Sequence, residues 1–265
     1  MIAMLDGGME LAYDDVGAGP PVLFIHGWPH NRALWAAQSS GLQTYARCIT
    51  PDLRGFGGST VMAPFTIDQY ADDLAAFLSM LGVEQAVVCG VSMGGYVALS
   101  LLRRHSSLVR ALVLTSTRAT ADSPEARAKR ARLIAFVRDH GVEALAERQL
   151  KAMVGETTFT ARPDVRDALR LMMAGAPSDG VIGALQAMSE RADSTDLLPG
   201  ISLPTLVVSG SEDTFTRPDE LRALADAIPN ARFETIQNAG HVCCYESPAA
   251  FNHLVSEFLA ALVHD

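Results

Sequence analysis

The most informative part of this chain is Gly90-Val91-Ser92-Met93-Gly94-Gly95. Residues 86–89 before it form a short, wholly apolar run, which is typical of a strand buried on both faces. Residues 96–104 after it have the pattern of a helix. A Gly-x-Ser-x-Gly sequence between strand and helix predicts a tight turn that raises the serine hydroxyl above the sheet edge. The pentapeptide alone also fits a glycine-rich turn that merely contains a serine, so the rest of the chain must decide.

Strand and helix patterns alternate on both sides of this stretch. Apolar strands are predicted at 22–26, 46–50, 86–89, 111–115, 205–209 and 231–236, after antiparallel strands that begin near 10–15. The alternation predicts an α/β fold, a mostly parallel twisted sheet with helices on both faces. Between residues 119 and 193 four amphipathic helical segments replace the strands. We therefore predict a core domain of residues 1–118 and 195–265, with a helical cap of residues 119–194 inserted between two strands.

Composition narrows the function classes. The chain has 265 residues, is 49% apolar and carries a formal net charge of −9 without a basic run, which argues against a nucleic-acid partner. No signal peptide and no apolar run of membrane-spanning length is found, so we expect a cytoplasmic protein without a membrane partner. The four cysteines fit neither a disulfide framework nor a zinc site. Nothing in the sequence indicates an oligomeric state.

Ser92 needs a base to take its proton, and histidine is the usual one. Of seven histidines, His241 is favoured because it directly follows the last predicted strand, and parallel strands end at one sheet edge. Asp213 follows the preceding strand at the same edge and is predicted to orient the imidazole, with Glu212 as its competitor. Other histidines on or at the ends of helices are predicted to be solvated: His105, His140, His253 and His264.

Two backbone N–H groups are predicted to bind the negative charge that develops on a carbonyl oxygen attacked by Ser92. One belongs to Met93, at the N-terminus of the following helix, where the helix dipole favours negative charge. The other belongs to Trp28, in the loop after the strand at 22–26. Alternatively, Trp28 is a large side chain that packs in the core. The two roles are compatible, because binding the negative charge uses only the backbone N–H of Trp28.

Five motifs together give the chain a resemblance that covers nearly its whole length. They are His26-Gly27-Trp28, Asp52-Leu53-Arg54-Gly55-Phe56-Gly57-Gly58-Ser59, the serine stretch at 90–95, Gly210-Ser211-Glu212-Asp213 and Asn238-Ala239-Gly240-His241. With the chain order Ser92, Asp213, His241, the sequence resembles the capped serine-hydrolase branch of the α/β-hydrolase fold superfamily. The resemblance implies acyl transfer from a small ester or lactone to water, without a metal or an organic cofactor.

Several activities within this superfamily stay open. The sequence is similar to carboxylesterases and to 3-oxoadipate enol-lactonases, and C–C bond hydrolases of aromatic degradation are a further alternative. It departs from haloalkane dehalogenases and epoxide hydrolases, whose nucleophile is an aspartate, because position 92 is serine. Trp28-Pro29 is similar to the cofactor-free haloperoxidase (perhydrolase) group, which implies a side activity with hydrogen peroxide. A receptor-like protein that binds a ligand and retains the triad is the alternative from another class.

The predicted cap gives two opposing indications about substrate. The stripe of Met153, Met172, Met173 and Met188 either packs helices together or lines an apolar pocket for neutral esters. A cationic run either forms a solvated helix face or attracts an anionic substrate; it comprises Arg127, Lys129, Arg130 and Arg132. We predict Pro29, Met172 and Val242 as pocket residues.

Overall fold

Eight strands form the centre of the computed structural model, which describes residues 1–262. The strands are β1 (Ile2–Met4), β2 (Glu10–Val16), β3 (Pro21–Ile25), β4 (Arg47–Pro51), β5 (Ala86–Val91), β6 (Val109–Thr115), β7 (Thr205–Gly210) and β8 (Ala231–Ile236). Their order in one sheet is β1-β2-β4-β3-β5-β6-β7-β8. The β1–β2 and β2–β4 pairs are antiparallel and all later pairs are parallel. The predicted α/β sheet is thus confirmed, and β1 is a strand that the sequence pattern did not reveal.

The helices connect these strands and cover the sheet. They are α1 (Ala36–Leu42), α2 (Ile67–Met80), α3 (Met93–Arg104), α4 (Pro124–Met153), α5 (Glu156–Ala161), α6 (Pro163–Ala174), α7 (Ser178–Glu190), α8 (Pro218–Asp226), α9 (Cys243–Glu246) and α10 (Pro248–Ala261). Every residue of β5 and of β7 is buried, so both faces of the sheet are covered there. Within residues 1–262, none of the helices combines the length and the apolar character needed to span a membrane.

Local sequence signals explain where α2 begins and ends. The Thr66 hydroxyl accepts a hydrogen bond from the Gln69 backbone N–H at 2.9 Å, as an N-cap residue does. The Gln69 side chain does not bond back to Thr66 but donates to Asp73, at 3.0 Å. Gly82 follows the helix with φ of +65°, a conformation that glycine adopts without steric cost.

The segment between β6 and β7 is helical, as the sequence indicates, but its details differ. The first two predicted helices are the two halves of α4, which bends at Gly141 because that residue adopts φ 81° and ψ 174°. The short helix α5 lies between two predicted helices and was not expected from the sequence. Strands β6 and β7 nevertheless pair directly, with Val113 opposite Leu206. The division into a core and a cap domain at residues 119 and 194 stays a prediction.

The sheet brings the ends of its parallel strands to one edge. Ile25 of β3 is paired with Gly90 of β5, and Gly210 of β7 with Ile236 of β8. The loops that follow β3, β5, β7 and β8 therefore start at the same edge, where ligands bind in open α/β sheets. The candidate site residues in these loops therefore lie at this edge of the sheet.

Candidate active site

Ser92 stands alone between β5 and α3, in a strained backbone conformation. Its φ of 55° and ψ of −114° lie in a region that residues with a β-carbon rarely adopt, at a cost of roughly 1–3 kcal/mol. Hydrogen bonds hold the turn in place: the Ser92 N–H donates to the Thr115 carbonyl at 2.9 Å, and the Thr117 hydroxyl donates to the Ser92 carbonyl at 2.8 Å. The side chain is only half-buried, so the strained turn presents its hydroxyl outward.

Two glycines allow this turn to pack against its neighbours. A β-carbon at Gly90 would overlap the Gly94 carbonyl, and one at Gly94 would overlap the Ile25 carbonyl at the end of β3. The loop after β3 also lies close to the nucleophile, since a β-carbon at Gly27 would be 3.3 Å from that of Ser92. The predicted oxyanion loop and the predicted nucleophile are therefore neighbours.

His241 and Asp213 form a buried pair, with exposed fractions of 3% each. Nδ1 of His241 lies 3.0 Å and 3.2 Å from the two carboxylate oxygens of Asp213. The same carboxylate accepts hydrogen bonds from the N–H groups of Phe215 at 2.8 Å and Thr216 at 2.9 Å. Because Nδ1 faces a carboxylate, the proton is favoured on Nδ1 and the other ring nitrogen is left basic.

The charge state of Asp213 follows from these contacts. Burial raises the pKa of its carboxyl group, but the neighbouring His241 and the two backbone N–H donors outweigh that effect, and the pKa lies below its usual value. Glu212, the predicted competitor, is engaged elsewhere: it accepts hydrogen bonds from the Thr157 N–H at 2.8 Å and from the Thr157 hydroxyl at 2.6 Å. Asp213 is the carboxylate that contacts His241.

Ser92 and His241 line one cavity of about 510 Å³ between the sheet edge and the helices that follow β6. Trp28 lines it as well, and its indole Nε1 donates to the Val181 carbonyl of α7 at 3.1 Å. Met93 is fully buried at the first position of α3, where its N–H has no acceptor within the helix. The oxyanion roles of Trp28 and Met93 stay predictions.

The pocket residues chosen from the sequence are not among those that line this cavity. Pro29 is buried behind Trp28, to which a cis peptide bond joins it, and Val242 is 1% exposed. Met172 packs half-buried against the hydrophobic core. Met153 and Met188 of the same predicted stripe do line the cavity, because helix rotation and the bend in α4 decide which methionines face it.

Five cationic residues line the cavity. Three of them belong to the cationic run predicted from the sequence, and two are arginines that the sequence did not indicate. Lys129, Arg130 and Arg132 line the cavity, whereas Arg127 is not among its lining residues. Arg118 follows β6, and Arg148 lies in the second half of α4; both also line it. Only the packing of α4 over the sheet edge reveals Arg148, since nothing in its local sequence distinguishes it from a solvated helical arginine.

Glu246 is a buried carboxylate that sequence reasoning also missed. It is 1% exposed and accepts hydrogen bonds from the N–H groups of Gly155 and Gly240, each at 2.8 Å. Burial raises the pKa of its carboxyl group, against the opposing effect of these hydrogen bonds. A nearby bond joins the Val242 N–H to the Met153 carbonyl at 3.2 Å. The loop that carries His241 is thus tied to the end of α4 and the start of α5.

His30 is a second buried histidine beside the site. It is 1% exposed, and neither ring nitrogen has a hydrogen-bond partner among residues 1–262. Burial, together with the charges of His26 and His241, lowers the pKa of His30 to about 3. The ring is therefore neutral at neutral pH. Of the histidines predicted to be solvated, His140 and His253 are exposed, His105 is half-buried against Asp72, and His264 lies outside the described residues.

Comparisons with known proteins agree with the fold. An esterase from Thermogutta terrifontis, solved with malate bound, superposes with a TM-score of 0.94 at 41% identity, over 97% of this chain and 96% of that one. The enol-lactonase from Burkholderia xenovorans LB400 superposes with a TM-score of 0.90 at 29% identity, over 98% of this chain and 100% of that one.

The curated sequences and family models give the same assignment. The 3-oxoadipate enol-lactonase 2 of Acinetobacter baylyi is 29% identical over 237 residues, which are 89% of this chain and 87% of that protein. A family model described as alpha/beta hydrolase fold matches residues 20–248, well over half of the chain. From the sheet, the serine turn and these matches together, the chain belongs to the α/β-hydrolase fold family.

Proposed function

We propose that the protein hydrolyses small carboxylic esters or lactones through an acyl-enzyme on Ser92. His241 takes the hydroxyl proton as the serine oxygen bonds to the carbonyl carbon, while Asp213 holds the imidazole and stabilises its positive charge. The N–H groups of Trp28 and Met93 bind the oxyanion. The bond between the carbonyl carbon and the alcohol oxygen then breaks, and His241 returns the proton to that leaving oxygen. A water molecule then attacks the same carbon of the acyl-enzyme, with His241 again as the base. The bond to the Ser92 oxygen breaks, the serine regains its proton from His241, and the acid is released.

One observation carries this proposal. Nδ1 of His241 contacts both carboxylate oxygens of Asp213, in a cavity that Ser92 also lines. A nucleophile, a base and a group that orients the base are the parts required for covalent acyl transfer. The ester or lactone class is further supported by relatives named as an esterase and as enol-lactonases. Both substrate types undergo the same attack at a carbonyl carbon.

Hydrolysis of p-nitrophenyl esters, from acetate to decanoate, tests the proposal. We expect wild-type activity on short acyl chains and a fall of about 10⁴-fold or more in Ser92→Ala, since the nucleophile is removed. Ser107→Ala replaces an exposed serine outside the cavity and is expected to retain activity. Reaction with a fluorophosphonate, followed by mass spectrometry of the peptides, is expected to place the adduct on Ser92. A folded wild type that neither cleaves any ester nor accepts the label contradicts the proposal and favours a ligand-binding role.

A further inference from the structure

The cavity beside Ser92 is strongly cationic in an acidic protein. The chain carries 30 Asp and Glu against 21 Lys and Arg. Among the described residues that line the cavity, Asp122 is the one that carries a carboxylate. Against it stand five cationic lining residues, which are Arg118, Lys129, Arg130, Arg132 and Arg148. The local charge is therefore opposite to that of the whole chain.

Two of these cations already have carboxylate partners. Arg130 bonds to Asp122, and Arg118 donates from Nε to Glu220 at 2.8 Å. Arg118 also donates to the carbonyl of Phe215, in the loop that follows Asp213. Both guanidinium groups are held in place by the protein. Their charges are only partly balanced, because Asp122 also pairs with Arg191 and Glu220 also pairs with Arg217.

The other three cations are uncompensated. Within residues 1–262, no carboxylate lies within 4.0 Å of the charged groups of Lys129, Arg132 and Arg148. Lys129 and Arg132 are three residues apart on α4 and so share one helical face, while Arg148 comes from beyond the bend at Gly141. The bend thus brings cations from both halves of the helix to one cavity.

The uncompensated cations share the cavity of Ser92 and His241. Nζ of Lys129 is 5.2 Å from the centre of the Phe215 ring, and that ring packs against His241 with 5.0 Å between ring centres. Arg132 and Arg148 are exposed residues that line the same cavity. A substrate whose carbonyl reaches Ser92 therefore extends its far end toward positive charge.

We propose that the cavity accepts esters or lactones that carry a free carboxylate remote from the bond to be cleaved. Lys129, Arg132 and Arg148 bind that carboxylate, and Arg118 and Arg130 add a positive background. This inference rests on the proposed hydrolysis at Ser92. It chooses between the two indications of the predicted cap sequence, because three of the four residues of the charged run line the cavity, against two of the four methionines.

Matched pairs of esters test the inference. The monomethyl esters of the five- to eight-carbon straight-chain dicarboxylic acids are compared with the methyl esters of monocarboxylic acids of equal carbon number. We expect wild-type kcat/KM to favour one of the charged esters by about tenfold or more, because each exposed ion pair contributes modestly and three act together. This preference is expected to shrink in 0.5 M sodium chloride, where exposed charges are screened.

Variants separate charge in the cavity from charge elsewhere. The triple variant Lys129→Gln, Arg132→Gln, Arg148→Gln is expected to lose the preference for the charged ester. Arg127→Gln makes the same kind of change on the same helix, outside the cavity lining, and is expected to keep it. Equal kcat/KM for both esters in the wild type, or a preference that survives the triple substitution, overturns the inference.

Binding to Ser92→Ala distinguishes this inference from the proposed function. Calorimetric titration of that variant with each ester of a pair is expected to show tighter binding of the charged one. If the wild type cleaves neither ester while Ser92→Ala still binds the charged one preferentially, hydrolysis fails and the carboxylate site stands. If Ser92→Ala binds both esters equally, the carboxylate site fails, whatever the activity.

Discussion

Gly155 and Gly240 pack backbone against backbone, one at the start of α5 and the other next to His241. A β-carbon on Gly155 would lie 3.0 Å from the Gly240 nitrogen, and one on Gly240 would overlap the Gly155 nitrogen. Neither residue has room for a side chain unless the backbone moves. The helical segment after β6 therefore determines, at this contact, where the histidine loop lies.

Gly240→Ala is expected to displace this loop and lower kcat by about a hundredfold, because small errors in the position of a catalytic group are costly. Circular dichroism is expected to show an unchanged fold, and kinetics on a short p-nitrophenyl ester measure the loss. Gly200→Ala is the control, since a β-carbon there meets nothing within 4 Å. Wild-type kcat in Gly240→Ala would show that the close contact does not position His241.

Exchanging the carboxylates of Asp213 and Glu212 for amides tests which one orients His241. Asp213→Asn keeps the shape but loses the acceptor that holds the proton on Nδ1, so we expect kcat to fall by about 10⁴-fold. Glu212→Gln alters only the contact with Thr157, and we expect at most a few-fold change. The measurement is steady-state hydrolysis of the same ester, and a larger loss in Glu212→Gln would reverse the assignment.

Glu246→Gln tests the tie between the histidine loop and the helical segment. An amide offers one acceptor oxygen and one NH₂ group to the two N–H donors of Gly155 and Gly240, so one donor loses its partner. We expect the free energy of unfolding to fall by about 1–3 kcal/mol, measured in urea at neutral pH. Glu84→Gln removes an exposed carboxylate and is expected to change it little. Equal stability of the two variants would contradict a role for Glu246 in holding the loop.

We expect His30 to make the protein less stable in mild acid. Its folded-state pKa of about 3 lies below its ordinary value of 6.5, so between these values the unfolded chain binds a proton that the folded chain does not. Stability is therefore lost as pH falls from about 6.5 toward 3. Between pH 7.5 and pH 5.0 this residue is expected to account for about 2 kcal/mol of the loss.

Urea unfolding at the two pH values measures this effect. His30→Leu removes the titrating ring from its buried position, so the variant is expected to lose less stability on acidification than the wild type. His253→Gln removes an exposed histidine and is expected to keep the wild-type difference. If His30→Leu and the wild type lose stability equally, the ring of His30 is not the group responsible.

The parts of the structure that depend on local pattern were predictable. Strand β8 has the predicted bounds, 231–236. Ser92, Asp213 and His241 lie at one sheet edge because each follows a strand of the parallel sheet, and parallel strands share an edge. The Asp213–His241 contact follows from this rule, but the alternative Glu212 was excluded only by its bonds to Thr157.

The pocket was not predictable from pattern, for a physical reason. Whether Met172 or Met188 faces the cavity depends on how each helix is rotated, and both lie on apolar stripes in the sequence. Arg148 reaches the cavity only because α4 bends at Gly141. Strand β1 escaped notice because just one of its three residues is buried, which leaves no hydrophobic alternation to detect.

The direct pairing of β6 with β7 has an evolutionary consequence. Residues 116–204 form an insert between β6 and β7, and these two strands pair directly with each other. The insert can therefore change in length and sequence while the pairing of the two strands is kept. The proposed reacting groups follow β5, β7 and β8, whereas three uncompensated cations lie within the insert. Mutations in the stretch of the gene that encodes this insert can therefore change which substrates bind, while the residues proposed to carry out the reaction stay the same.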